Sequence, residues 1–172
     1  QILSLRGILN GTSNFIISQM EDRGAEYAAA LAEAQRRGFA EANPAMDVDG
    51  SDAAQKLAIL AHLAFGARVN WREIPRVGID RLQVADLRYA RELGYRIKLL
   101  AVAQLVDGDL EIHVSPTLVR QGLPLTEVRE ANNAISVVGD AVGEVVSWLS
   151  LVSSPRRLAS ESIRKLPERT TA

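Results

Sequence analysis

Between Glu41 and Lys56 the sequence gathers four carboxylates, Glu41, Asp47, Asp49 and Asp52, and closes the stretch with a lysine. Asp52 and Lys56 are spaced i, i+4, so on a helix they share one face. Continued along the chain, that face meets Ile59 and Leu63. A lysine held beside carboxylates and partly withdrawn from water can give or take a proton at a reacting oxygen. Carboxylates crowded at the approach to a helix can receive the ammonium group of an amino acid. The same residues also fit a plainer use. Asp52 and Lys56 can be a solvated surface pair worth a few tenths of a kcal/mol, and Asp47 and Asp49 can be loop and capping residues. His62, on an apolar helix, reads as a core histidine, and His113 as an ordinary strand residue.

Other chemistry is excluded by spacing. Asp47-x-Asp49-Gly50 has the look of a calcium loop, but in that register the first ligand position is Ala45 and the last is Lys56. Gly7-x-x-x-Gly11-Thr12 lacks the spacing and the lysine of a phosphate-binding loop. No two of the 12 glycines are spaced i, i+2, so the chain carries no dinucleotide fingerprint. There is no cysteine and there are two histidines, which removes thiolate and histidine-rich metal sites and cysteine nucleophiles. No metal ligands are assigned, although a carboxylate set stays open.

The elements that must position these residues are helical first and extended later. Gln1 to Leu9 reads as a strand. Thr12 is the expected cap of a helix that ends before Gly24. A second helix runs from Glu26 to Arg37 and stops at Gly38. Glu41 to Gly50 is a polar loop broken by Pro44 and Gly50. A third helix, Ser51 to Phe65, is apolar on nearly every side from Leu57 onward, the pattern of a buried helix. A loop passes Trp71 and Pro75, and a further helix covers Val84 to Leu93, closed by Gly94. Tyr95–Leu105 and Leu110–Val114 flank Asp107-Gly108, a hairpin signal. Ala134–Val138 and Val145–Leu149 flank a second turn. This order predicts an α+β fold, with helices packed on one side of a mixed, mostly antiparallel sheet.

The bulk properties agree. The chain has 172 residues, 47% hydrophobic and 24% charged, enough for one domain with a core. A net charge of −1 argues against nucleic acid or an anionic membrane as the main partner. No apolar run is long enough to span a bilayer. Opening at Gln1 in mid-strand, the chain reads as a segment of a longer protein, and the lack of cysteine and of a signal peptide fits the cytoplasm. Residues 1–150 form the expected domain; 151–172 read as a divergent, polar, weakly ordered tail.

Gly7-Ile8-Leu9-Asn10-Gly11-Thr12-Ser13-Asn14-Phe15-Ile16 resembles a segment of homoserine dehydrogenases. So do Ala34-Gln35 with Gly38-Phe39-Ala40-Glu41-Ala42-Asn43-Pro44, and Asp47-Val48-Asp49-Gly50-Ser51-Asp52-Ala53-Ala54-Gln55-Lys56-Leu57. Ala90 to Leu100 and Val138 to Gly143 continue the match. The resemblance is to the substrate-binding and catalytic domain of that family, without its N-terminal nucleotide-binding domain. It implies reversible hydride transfer between NAD(P)H and aspartate semialdehyde, giving homoserine, in threonine and methionine biosynthesis. Lys56 is similar to the family's catalytic lysine, and Asp52 to the aspartate that orients substrate beside it. Glu41 and Asp47 match acidic substrate-binding positions. Gly7, Asn10, Gly11 and Thr12 would line the junction of substrate and cofactor. A homodimer formed through the sheet is also implied. Asn43 and Ala45 depart from the family pattern without removing a catalytic group, and from Ser147 the family's Gly-rich continuation is missing. A non-catalytic dimerising or amino-acid-binding module is the alternative reading.

Overall fold

The computed structural model describes residues 1–141 and 143–149. Its elements are β1 (Ile2–Ile8), α1 (Gly11–Arg23), α2 (Tyr27–Arg36), α3 (Ala45–Val48), α4 (Ser51–Phe65), α5 (Val84–Glu92), β2 (Tyr95–Val106), β3 (Asp109–Arg120), β4 (Asn133–Gly139) and β5 (Gly143–Leu149). The α+β class stands. Five strands form one sheet in the order β3-β2-β1-β4-β5, so the first strand of the chain is the central one. All four strand pairings are antiparallel. The one parallel contact among the described residues is an isolated bridge, Arg76↔Val114.

The helices cover one face of the sheet. Leu5 and Leu9 at the centre, with Leu99, Ala101 and Ala103 of β2, pack with Phe15, Ile16 and Met20 of α1 and with Ala53, Ala54 and Leu57 of α4. Alanines on both sides of the contact let α4 approach the sheet closely. Leu57 is fully buried there, and truncating such a leucine to alanine costs about 2–5 kcal/mol. A smaller cluster on the other face joins Ile8, Leu100, Val102 and Ala134 to Leu125 and Val128. Leu125 belongs to a 3-10 turn over Pro124–Glu127, an element the sequence reading did not anticipate.

Several expectations change. Asn10, not Thr12, caps α1: its Oδ1 accepts from the Ser13 N–H at 2.7 Å. Asparagine is the better cap, and the Thr12 hydroxyl instead donates to the Phe39 carbonyl at 2.6 Å. The polar stretch from Glu41 to Gly50 contains the short helix α3. A second unforeseen 3-10 turn covers Trp71–Glu73. Helix α4 is not buried on all sides. Its inner face packs, but Ile59 and Leu63 are 62% and 74% exposed. His62 is likewise exposed rather than a core histidine. Strand β3 continues well beyond Val114 to Arg120, through Pro116. It lies at the edge of the sheet, where a proline need not donate to a second neighbour. The Asp107-Gly108 turn is as expected, with both residues at positive φ (52° and 93°), the type I′ requirement. The tail expected to be weakly ordered, residues 151–172, lies outside the described residues.

Candidate active site

The site forms where the end of the central strand meets the start of α4. Gly50, with φ of 85°, allows the sharp turn between α3 and α4. Asp47 on α3 and Asp52 on α4 then both face the β1–α1 connection. The Lys56 Nζ donates to Asp52 Oδ2 at 2.6 Å and to the Leu9 carbonyl at 3.0 Å. An ammonium has three N–H bonds, so among the described residues the third is left for a ligand or solvent. Asn10 Nδ2 donates to Asp47 Oδ1 at 2.8 Å and to Asp52 Oδ2 at 2.9 Å. The Ser13 hydroxyl donates to the Asp47 carbonyl at 2.6 Å. Asp49 stays out of this group; its Oδ1 accepts from the Ser51 N–H at 2.7 Å.

The Lys56 side chain is 47% exposed and that of Asp52 26%. The lysine side chain is therefore about half withdrawn from water. Beside it is an apolar concavity of about 340 Å³ lined by Leu9, Lys56, Ile59, Leu60, Ile135 and Asn133, among others. The Asn133 Oδ1 is itself enclosed by protein and has no hydrogen-bond partner among the described residues. A slightly larger concavity, about 360 Å³, lies on the opposite face of the sheet around Arg6, His113 and Glu144 and holds none of the candidate residues.

The remaining candidates sit as follows. Glu41 is exposed, and its backbone carbonyl accepts from Gln35 Nε2 at 3.1 Å. The loop that carries it is tied to α1 by the Thr12–Phe39 bond. Gly7, Asn10, Gly11 and Thr12 are all buried. A Cβ on Gly7 would lie 2.8 Å from the Leu9 side chain, and one on Gly11 2.6 Å from the Ala131 carbonyl oxygen. Gly11 is thus a place of close backbone approach, whereas the nearest atom at Gly7 ends a side chain that can shift.

The sequence reading passed over a second polar group on the other flank of α1. Asn14 Nδ2 lies within hydrogen-bonding distance of the Val128, Glu130 and Asn132 carbonyls. Its Oδ1 accepts from Lys98 Nζ at 3.1 Å. Lys98 also donates to the Val128 carbonyl at 2.5 Å and is 0% exposed. Burial, reinforced by the positive charge of Arg129, pushes its pKa down to about 8, against the opposing pull of Glu21. The available signal was a lysine inside an otherwise unbroken apolar run from Ile97 to Val102.

Comparison with known proteins gives a consistent picture. The family model described as homoserine dehydrogenase matches residues 1–150. The homoserine dehydrogenase of Neisseria gonorrhoeae is 44% identical over 148 residues, which are 86% of this chain and 34% of that protein. The crystal structure of a homoserine dehydrogenase from Thiobacillus denitrificans superposes with a TM-score of 0.84 at 47% identity, over 87% of this chain and 35% of that one. A hyperthermophilic archaeal homoserine dehydrogenase mutant in complex with NADPH gives 0.67 at 28% identity, over 84% and 40%. The chain spans about a third of the length of the curated relatives it matches.

Proposed function

Because the chain belongs to the homoserine dehydrogenase family, we propose that it supplies the substrate-binding and catalytic part of an enzyme that interconverts L-aspartate 4-semialdehyde and L-homoserine. Residues 1–150 are the functional unit in this reading. The observation that carries it is the Lys56 ammonium. Two of its N–H bonds are fixed by Leu9 and Asp52, and the third has no partner among the described residues and lies beside an apolar concavity.

The chain's own residues then divide the work. Lys56 donates a proton to the carbonyl oxygen of the semialdehyde in the reducing direction and takes the hydroxyl proton of homoserine in the other. Asp52 holds the lysine head in place and, with Asp47, faces the substrate's ammonium group. Glu41, exposed and near the Thr12 end of α1, closes that acidic side. The apolar walls of the concavity, Leu9, Ile59, Leu60 and Ile135, suit the face of a nicotinamide ring. A nicotinamide, from NAD or NADP, supplies the hydride when bound. Gly7, Asn10, Gly11 and Thr12 line the junction between the two ligands.

The reading extends to assembly and setting. A homodimer through the sheet face opposite the helices is supported by the exposed Leu118 and Leu123 on that side. A cytoplasmic setting is part of the same proposal. Among the described residues no helix is long and apolar enough to cross a membrane.

The test is NADPH- or NADH-dependent reduction of aspartate semialdehyde by this chain alone and by the chain fused behind the nucleotide-binding segment of a longer relative. Turnover by the fusion is expected. A folded fusion that binds the cofactor without turnover moves the reading to an amino-acid-binding module.

A further inference from the structure

We propose that Asn10 is a positioning residue: its side-chain amide sets the spacing of Asp47 and Asp52 and, through Asp52, the direction of the open N–H of Lys56. This rests on the reading of Lys56 and the two aspartates as the reacting site.

The orientation of the amide follows from its partners. Oδ1 must face the Ser13 N–H, a fixed donor at 2.7 Å, so Nδ2 must face the carboxylates. Both Nδ2 protons are then used, one on Asp47 and one on Asp52. The residue is 5% exposed, so water does not compete freely for these bonds. The side chain has no donor left for a cofactor or substrate. Its function beyond capping acts through the two aspartates.

Capping alone does not explain an asparagine. A helix cap needs only the acceptor, and serine or aspartate serves about as well. An aspartate at position 10 would keep the Ser13 bond but would turn a donor to two carboxylates into a third carboxylate beside them. The part of Asn10 that capping leaves unused is the NH₂ group, and it joins two residues 37 and 42 positions away. Its neighbour Leu9 holds Lys56 through the backbone. Two consecutive residues at the end of β1 therefore fix all three charged groups. Ala131, against which Gly11 has no room for a Cβ, backs the turn from the other side.

The test uses Asn10→Ser and Asn10→Asp, both of which keep the cap. In the full chain, the two side-chain amide protons of Asn10 are followed by NMR. One is expected to move in Asp47→Asn and the other in Asp52→Asn. In the active fusion, both Asn10 variants are expected to lose about 100-fold in kcat, the scale set by small misplacements of reacting groups. KM for the nicotinamide cofactor and the melting temperature of Asn10→Ser should stay near wild type. Amide protons indifferent to both aspartate changes overturn the proposal. So does an Asn10→Asp variant with kcat within threefold of wild type. A wild-type fusion without turnover overturns the functional reading of the site instead, and the amide experiment then decides the role of Asn10 by itself.

Discussion

Lys56 and Leu9 stand 47 residues apart and are joined by a 3.0 Å hydrogen bond from the lysine ammonium to the leucine carbonyl. The bond ties the first turns of α4 to the end of the central strand. It also gives the lysine a fixed base from which to reach outward. Lys56 is still about half exposed, and its ion pair with Asp52 is a partly solvated i, i+4 pair. Such pairs add little stability. Lys56→Ala should therefore change the free energy of unfolding by no more than about 1 kcal/mol. Urea denaturation of the variant measures this; a much larger loss would make the lysine a structural residue.

Gly11 is expected to resist the mildest substitution. At the first position of a helix alanine is otherwise favoured over glycine. Here its Cβ would lie 2.6 Å from the Ala131 carbonyl oxygen. Gly11→Ala should lower stability by about 1–3 kcal/mol, as overpacking does. An unchanged melting curve would show that the 131 segment yields freely.

Asn14 secures that same segment. It lies against three carbonyls, including that of Glu130, a non-glycine residue at φ 56°. Removing it takes the donor from the Glu130 and Asn132 carbonyls and leaves the buried Lys98 ammonium with the Val128 carbonyl alone. Asn14→Ala should cost on the order of 3 kcal/mol and speed amide hydrogen exchange selectively between residues 128 and 132. Exchange no faster than wild type in that stretch would contradict the assignment.

The reach of the sequence ended where contacts became long-range. The Asp52–Lys56 pair was legible because helical spacing dictates it, and the hairpin at Asp107-Gly108 because its turn demands those residues. The role of the Asn10 amide was not, because its partners lie on α3 and α4, far along the chain. The exposure of Ile59 and Leu63 was misread for a related reason. A helix apolar all round is normally buried, but burial depends on what covers it, and hydropathy does not say which face that is. Thr12 qualifies as the cap by residue type, as serine and asparagine do. Which one turns its oxygen to the helix is decided by the Phe39 carbonyl, a tertiary neighbour.

Lys98 predicts a pH dependence with a definite sign. Its folded-state pKa is lowered from 10.5 to about 8. Between those values the unfolded chain binds the proton and the folded chain does not, so this residue makes stability rise as pH increases through that window. Below about pH 8 the cost of holding the buried charge is fully present. The gain across the window should be on the order of 3 kcal/mol. Denaturation at pH 7 to 10, compared between wild type and Lys98→Met, isolates it from other titrating groups. Parallel pH profiles for the two proteins would contradict the assignment.

The most direct test of the central claim is the turnover number of Lys56→Ala in the cofactor-binding fusion, with aspartate semialdehyde as substrate. Loss of a general acid from an otherwise intact site predicts a fall in kcat of about 100-fold or more, with the affinity for the nicotinamide cofactor unchanged. A variant that turns over within a few-fold of wild type would mean that the proton comes from elsewhere and that Lys56 is only half of a surface ion pair.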